Sequence, residues 1–139
     1  MDRDESGKTM WNACYHGDFK VIEYFAERGE FLYFGATGAC LGGRLDSLKY
    51  LMQVSTFDKE QIDACTAIAA SGGYIELVRY LVGLGGDVLR EDVAIEQAAM
   101  LDDVEMIKYL ISIGADIETV MIHARDYESL NIIKHLEQK

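Results

Sequence analysis

The hydrophobic positions of the chain predict pairs of helices. Around residues 71–88, a segment of small residues ends at Gly72-Gly73, and an amphipathic segment follows before a second stop at Gly85-Gly86. Glycine is typical of a helix end because it adopts left-handed backbone geometry without strain. The same arrangement returns at residues 101–117, which contain Gly114-Ala115-Asp116. A helix–turn–helix unit is therefore repeated along the chain.

Five copies of this unit share one register. The most regular position holds Tyr24, Tyr50, Tyr80 and Tyr109, separated by 26, 30 and 29 residues. Apolar residues stand two and five positions before each tyrosine, and alanine stands eleven positions before it. The alanines are Ala13, Ala39, Ala69, Ala98 and, in the fifth copy, Ala124. We predict a single domain, residues 1–139, with copies at about 8–31, 32–57, 58–88, 89–117 and 118–139.

Local signals predict where the helices of the first copy begin and end. The polar residues 1–7 are expected to fray, with a first inner helix at about 8–16. Asp18 is expected to cap an outer helix over 19–28. The aromatic-rich segment 30–34 is expected to form a connector between the first two copies.

The later copies carry their own signals. The helical part of the second copy, at about 35–54, has four glycines in its inner segment. Each glycine costs about 0.5–1 kcal/mol in a helix relative to alanine. Its inner helix is therefore predicted to be the least stable. Ser55 or Thr56 is expected to cap a third inner helix over 59–70. Asp102 replaces the glycine between two helices, and we expect it to adopt left-handed geometry.

These columns resemble the ankyrin repeat. The matching residues are Ala69-Ala70, the segment 73–78 (Gly-Tyr-Ile-Glu-Leu-Val) and Gly114-Ala115-Asp116. The chain departs from that family in having no proline, so the Thr-Pro-Leu-His start is missing from every copy. The resemblance implies an all-α ankyrin-repeat solenoid of about five helix–turn–helix units with shortened or absent β-hairpin loops. The short copies also resemble the divergent ankyrin proteins of giant DNA viruses of amoebae.

Composition narrows the class of protein. The chain has 139 residues, and half of them are hydrophobic. It contains neither a long apolar run nor a signal-peptide pattern. We therefore expect a cytoplasmic monomer, located in the host cytoplasm if the protein is viral. The net charge of −11 disfavours nucleic acid and anionic membranes as partners. It favours a basic partner surface, or it reflects only solvated helix faces. Cys14 and Cys40 share one column and are expected to be small buried side chains, with a metal or redox role as the alternative.

No set of residues predicts catalysis. His16, His123 and His135 are widely spaced, with no cysteine or carboxylate at metal-ligand spacing. The glycine-rich segment 83–86 follows a predicted helix rather than a strand, which argues against a phosphate-binding loop. The acidic run 102–105 is expected to cap a helix rather than to bind a cation. We predict no enzyme activity, no cofactor and no metal site.

The ankyrin resemblance implies that partners bind the concave side. By column, two positions before each inter-helix turn should face that side. The residues there are Tyr15, His16, Leu41, Gly42, Ser71, Gly72, Met100, Leu101, Asp126 and Tyr127. Exposed aromatic residues and Met are typical of interface cores, but Tyr15, Leu41 and Leu101 could instead pack as core. Phe31, Tyr33 and Phe34 could extend the surface or fill the gap between the first two copies.

Two functions are therefore expected from the sequence. The first is a non-catalytic protein–protein interaction module, which the viral resemblance would make an adaptor or decoy for a host protein. The alternative is an acidic mimic that inhibits a nucleic-acid-binding protein by occupying its basic groove. Salt distinguishes them, because binding through charge collapses between about 50 and 200 mM salt.

Overall fold

The protein is all-helical. A computed structural model describes residues 2–138, and within that range it contains helices, turns and no strand. A short 3-10 turn, Arg90–Asp92, precedes the seventh α-helix. The helices are α1 (Arg3–His16), α2 (Phe19–Glu27), α3 (Leu32–Gly42), α4 (Leu45–Val54), α5 (Lys59–Ser71), α6 (Ile75–Gly83), α7 (Val93–Met100), α8 (Val104–Ser112), α9 (Ile117–Asp126) and α10 (Leu130–Glu137).

The helices pack as successive pairs. Each odd-numbered helix, which we call an inner helix, contacts the even-numbered outer helix that follows it. The inner helices also contact one another in chain order, from α1 to α9, and form a continuous row. None of the helices in residues 2–138 is long and apolar enough to cross a lipid bilayer.

The core follows the columns seen in the sequence. All five alanines of the inner-helix column are buried, so the inner helices approach one another closely along that seam. Ile22, Leu48, Val78 and Ile107 of the outer helices are fully buried at equivalent positions. Each such aliphatic side chain contributes about 1.5–3 kcal/mol when it leaves water. The helical period and the burial pattern therefore agree.

The first helix is longer than the sequence indicated. Residues 1–7 were expected to fray, but residues 3–7 form the first turns of α1, and Met1 lies outside the described residues. The Asp2 carboxylate accepts a hydrogen bond from the Glu5 amide at 2.8 Å and caps the helix. Gly7 is buried, and a β-carbon added to it would lie 3.4 Å from the Phe31 ring. Capping and packing on Phe31 thus order a segment whose composition is polar.

The connector predicted over residues 30–34 is also wrong in part. Leu32 begins α3, so only residues 28–31 separate α2 from α3. Phe31 adopts left-handed geometry, with φ 57°, and the chain reverses there. An aromatic residue tolerates this conformation poorly, but its ring packs on the Phe25 ring at a centroid distance of 5.9 Å. Packing therefore decides the start of α3.

Two of the predicted helix caps are wrong. The Asp18 side chain makes no capping hydrogen bond, and the turn before α2 is closed by backbone bonds to the Ala13 carbonyl. Neither Ser55 nor Thr56 caps α5. Asp58 does, because its carboxylate accepts from the Gln61 amide while the Gln61 side chain accepts from the Asp58 amide. This capping box fixes the start of α5.

The turn between the paired helices is left-handed in every copy. Gly17, Gly43 and Gly73 take this geometry, as do Asp102, with φ 51°, and Glu128, with φ 55°. The prediction for Asp102 is confirmed. Asp102 also accepts hydrogen bonds from the Asn131 and Ile132 amides at 3.2 and 3.0 Å, and it thereby caps α10 of the next pair. This carboxylate links two repeats, which the sequence did not predict. The expected cap of the helix that the acidic run begins is made by Asp103, which accepts from the Met106 amide at 3.1 Å and caps α8.

The glycines of α3 have a packing role. A β-carbon on Gly38 would lie 2.6 Å from the Trp11 carbonyl oxygen, and one on Gly35 would lie 2.9 Å from the Cys14 sulfur. One on Gly42 would clash with the Tyr15 carbonyl. Glycine at these positions lets α3 lie directly against α1. The cost in helix propensity is therefore accompanied by closer packing.

Candidate functional site

One side of the inner helices carries an exposed apolar stripe. Phe34 and Leu41 on α3 are seven residues apart, as are Val93 and Met100 on α7, so each pair lies on one helix face. All four side chains are exposed. Ile122 extends the stripe onto α9. We call this exposed side of the inner helices, together with the turns that follow them, the front face.

The structure places the predicted binding residues at different depths. Leu41, Met100 and Leu101 are 50%, 52% and 57% exposed, so these side chains are not part of the core. Tyr15 is half-buried. The glycines of the same two columns, Gly42 and Gly72, lie in or directly after inner helices and have no side chain to offer. The remaining exposed positions are His16, Ser71, Asp126 and Tyr127.

Aromatic contacts order the end of α1. The Trp11 and Tyr15 rings are stacked, with centroids 5.3 Å apart. The His16 ring meets the Tyr15 ring edge to face at 5.0 Å. Tyr15 is half-buried and is held between the two other rings.

A hydrogen bond fixes Tyr127 on the front face. Its hydroxyl donates to the Glu96 carboxylate at 2.8 Å, which joins the turn after α9 to the middle of α7. This hydrogen bond with Glu96 raises the pKa of the Tyr127 hydroxyl. The ring of Tyr127 remains exposed, so an ordered aromatic surface is available there.

Phe31, Tyr33 and Phe34, at the start of α3, could extend the binding surface or fill the gap between the first two copies. Phe31 and Tyr33 are half-buried and pack against the core. Tyr33 meets the Phe57 ring edge to face, with centroids 6.3 Å apart. Phe34 is exposed and belongs to the front face. Phe31 and Tyr33 thus fill space between neighbouring pairs.

The centre of the front face is a depression. On α5, the positions equivalent to Phe34 and Leu41 are held by Ala64 and Ser71, and Ala67 lies between them. Small side chains on α5 therefore lie between larger ones on α3 and α7. A groove of about 350 Å³ opens here between α5 and α7.

The groove has an apolar floor and a charged rim. The apolar residues lining it are Ala64, Ala67, Ala70, Val88, Val93 and Ala94. The charged residues lining it are Glu60, Asp63, Asp87, Arg90 and Glu91. Four carboxylates thus face one guanidinium around the opening.

The carboxylates of the rim differ in their partners. Asp63 accepts hydrogen bonds from the Lys59 ammonium at 2.7 Å and from the Asp87 amide at 2.8 Å. The hydrogen bond with Lys59 is the main reason why the pKa of Asp63 is lowered. Glu60 and Glu91 are exposed and, within residues 2–138, have no hydrogen-bond or ion-pair partner. Their carboxylates are available to a ligand.

Sequence reasoning missed this groove and the packing role of Tyr74. The Tyr74 ring covers Gly43 and Gly72, since β-carbons on these glycines would lie 2.7 and 2.5 Å from it. Ala67 and Glu96 occupy one column of neighbouring copies, which was visible in the sequence. The depth of the groove depends on the separation of α5 and α7, which no local pattern encodes.

The side chains considered for metal or redox chemistry do not form a cluster of metal ligands within residues 2–138. In the part of the chain that the structure describes, no three histidine, cysteine or carboxylate side chains are grouped to hold a metal ion. Cys14, Cys40 and Cys65 are free thiols and fully buried. Burial raises the pKa of Cys14 to about 12, so this thiol stays protonated at neutral pH. Cys14 and Cys40 are small buried side chains, as predicted.

No model of a known protein family matches the chain, and neither does any curated protein. The front face is therefore the basis for assigning a function.

Proposed function

We propose that the protein is a non-catalytic interaction module that binds a partner protein through its front face. The observation that carries this proposal is the set of exposed front-face residues Leu41, Met100, Leu101 and Tyr127 around the depression on α5. Rigid aromatic and Met side chains at exposed, ordered positions suit the centre of an interface. The surrounding charged residues would form its polar rim.

We further propose that the stack is an ankyrin-like solenoid and that the front face is its concave side. The row of inner helices, the buried alanine column and the left-handed turns support this assignment. Residues 2–138 contain no β-hairpin between the pairs, which fits shortened loops. A role as a viral adaptor or decoy for a host protein rests only on the resemblance of the short repeats.

Binding through the front face can be tested with peptides selected on the immobilised protein from a random display library. Their affinities are then measured for Leu41→Ser and Met100→Ser. We expect each substitution to weaken binding by about fivefold or more, because truncating an interface anchor costs over about 1 kcal/mol. Both side chains are half exposed, so the free energy of unfolding should change by less than about 0.5 kcal/mol.

Two apolar residues at the C-terminal ends of outer helices, Val54 in α4 and Leu84 directly after α6, provide matched controls. Val54 and Leu84 are 48% and 44% exposed, close to the values for Leu41 and Met100. Val54→Ser and Leu84→Ser should leave the affinities unchanged. Peptides that lose binding to these control variants, and not to the front-face variants, would contradict the proposal.

The acidic mimic remains a second candidate because the net charge is −11. A protein that imitates the nucleic-acid backbone should lose affinity for a basic-grooved partner by orders of magnitude between about 50 and 200 mM salt. Binding through the apolar front face should change little over the same range. The salt dependence of the selected ligands therefore distinguishes the two functions.

A further inference from the structure

We propose that the groove between α5 and α7 accepts an arginine or lysine side chain from an extended segment of the partner. This inference rests on the proposed interaction function and names the partner chemistry at the centre of the front face. The shape of the groove and the charge around it indicate this kind of side chain.

The floor of the groove suits an aliphatic stem. Ala64, Ala67 and Ala94 present methyl groups, and Val88 and Val93 close the apolar surface around them. Lysine and arginine bury their methylene groups on such surfaces and keep the charged end near water. The volume of about 350 Å³ lies at the lower end of the range for ligand pockets. A single long side chain is therefore a better match than a helix or a folded loop.

The rim of the groove suits a cation. Glu60 on α5 and Glu91 in the 3-10 turn lie at its two sides, and both carboxylates lack partners within the described range. Asp63 and Asp87 add negative charge, although Asp63 is already bonded to Lys59. A carboxylate partner would be repelled here, and a neutral side chain would leave the rim without a counter-charge.

The chain also contains a competing cation. Arg90 lines the same groove and contributes to the lowered pKa of Asp63 through its charge. A cation bound in the groove would meet repulsion from Arg90. Removing Arg90 should therefore strengthen cation binding, which is a result that general damage to the fold would not produce.

The probe is a capped peptide, Gly-Ala-Arg-Ala-Gly, titrated into the isotope-labelled protein while amide chemical shifts are recorded. Matched peptides carry lysine, citrulline or glutamate at the central position. We expect shifts confined to residues 60–71 and 87–94 with the arginine and lysine peptides. The citrulline and glutamate peptides should produce at least about fivefold weaker binding, because they lack the charge.

Variants test the two parts of the site. The double substitution Glu60→Gln and Glu91→Gln should weaken the arginine peptide by about three- to tenfold, and Arg90→Ala should strengthen it by about two- to fivefold. Ala67→Met fills the floor and should abolish the shifts. The control is the double substitution Glu76→Gln and Glu105→Gln, which removes equal charge from exposed positions on α6 and α8 and should change the affinity little.

The outcomes separate this inference from the proposed function. Equal binding of the arginine and citrulline peptides, shifts outside the groove, or weaker binding to Arg90→Ala would overturn the inference. If that happens while Leu41→Ser and Met100→Ser still lose the selected ligands, the interaction function stands without it. The interaction function would instead be overturned if the arginine peptide shifts the groove residues while the selected ligands bind Leu41→Ser and Met100→Ser as tightly as the wild type.

Discussion

Cys14 shows how a single position responds to its place in the stack. Its side chain is fully buried, and its sulfur lies 3.8 Å from the Met10 sulfur. Ala70 and Ala99 occupy the equivalent position in later copies, so the site requires a small side chain rather than a reactive thiol. The sequence predicted this burial from the column alone. Burial also raises the pKa of the thiol to about 12.

The raised pKa predicts a pH dependence of stability. Above pH of about 8.5 the thiol ionises in the unfolded chain but stays protonated in the native protein. The unfolded state then binds fewer protons, so the free energy of unfolding falls as pH rises, by up to about 1.4 kcal/mol per unit from this group. Urea unfolding at pH of about 8 and about 10 should show a loss about 2 kcal/mol larger in the wild type than in Cys14→Ala. Equal losses would mean that this thiol titrates normally in the native state.

The second inner helix shows what element-level patterns leave out. The four glycines in its sequence indicated weak helix propensity and therefore low stability. The sequence did not show that Gly35, Gly38 and Gly42 face α1, because that depends on which helix packs beside α3. Conversely, the cap of α5 was misassigned because Ser55, Thr56 and Asp58 are all good capping residues. Only the chain path in the structure selects Asp58.

Gly38→Ala tests the packing role of these glycines. The new methyl group would lie 2.6 Å from the Trp11 carbonyl oxygen. We expect a loss of about 1–3 kcal/mol in the free energy of unfolding, more than the gain in helix propensity of about 0.5–1 kcal/mol. Gly83→Ala is the control, because a methyl group at this last residue of α6 would meet nothing within 4 Å. It should stabilise the protein by up to about 1 kcal/mol in urea unfolding. If Gly38→Ala is also stabilising, α1 and α3 are not in close contact.

At the scale of the whole molecule, the columns predicted an all-α stack and some of the exposed apolar positions. Leu41, Met100 and Leu101 were visible in the sequence because they recur beside the inter-helix turn. The groove was not visible, since Glu60 and Glu91 belong to different copies and meet only when α5 and α7 pack side by side. The net charge fitted either a basic partner or solvated helix faces alone, and it could not place the carboxylates that would contact such a partner.

The central claim is that partners contact the front face. It is tested most directly by NMR cross-saturation from an unlabelled selected ligand to the amides of the deuterated protein. We predict saturation transfer at Leu41, Met100 and Leu101, and none at Val54 or Leu84 at the ends of the outer helices. Transfer concentrated at Val54 and Leu84, with none at the three front-face residues, would contradict the account.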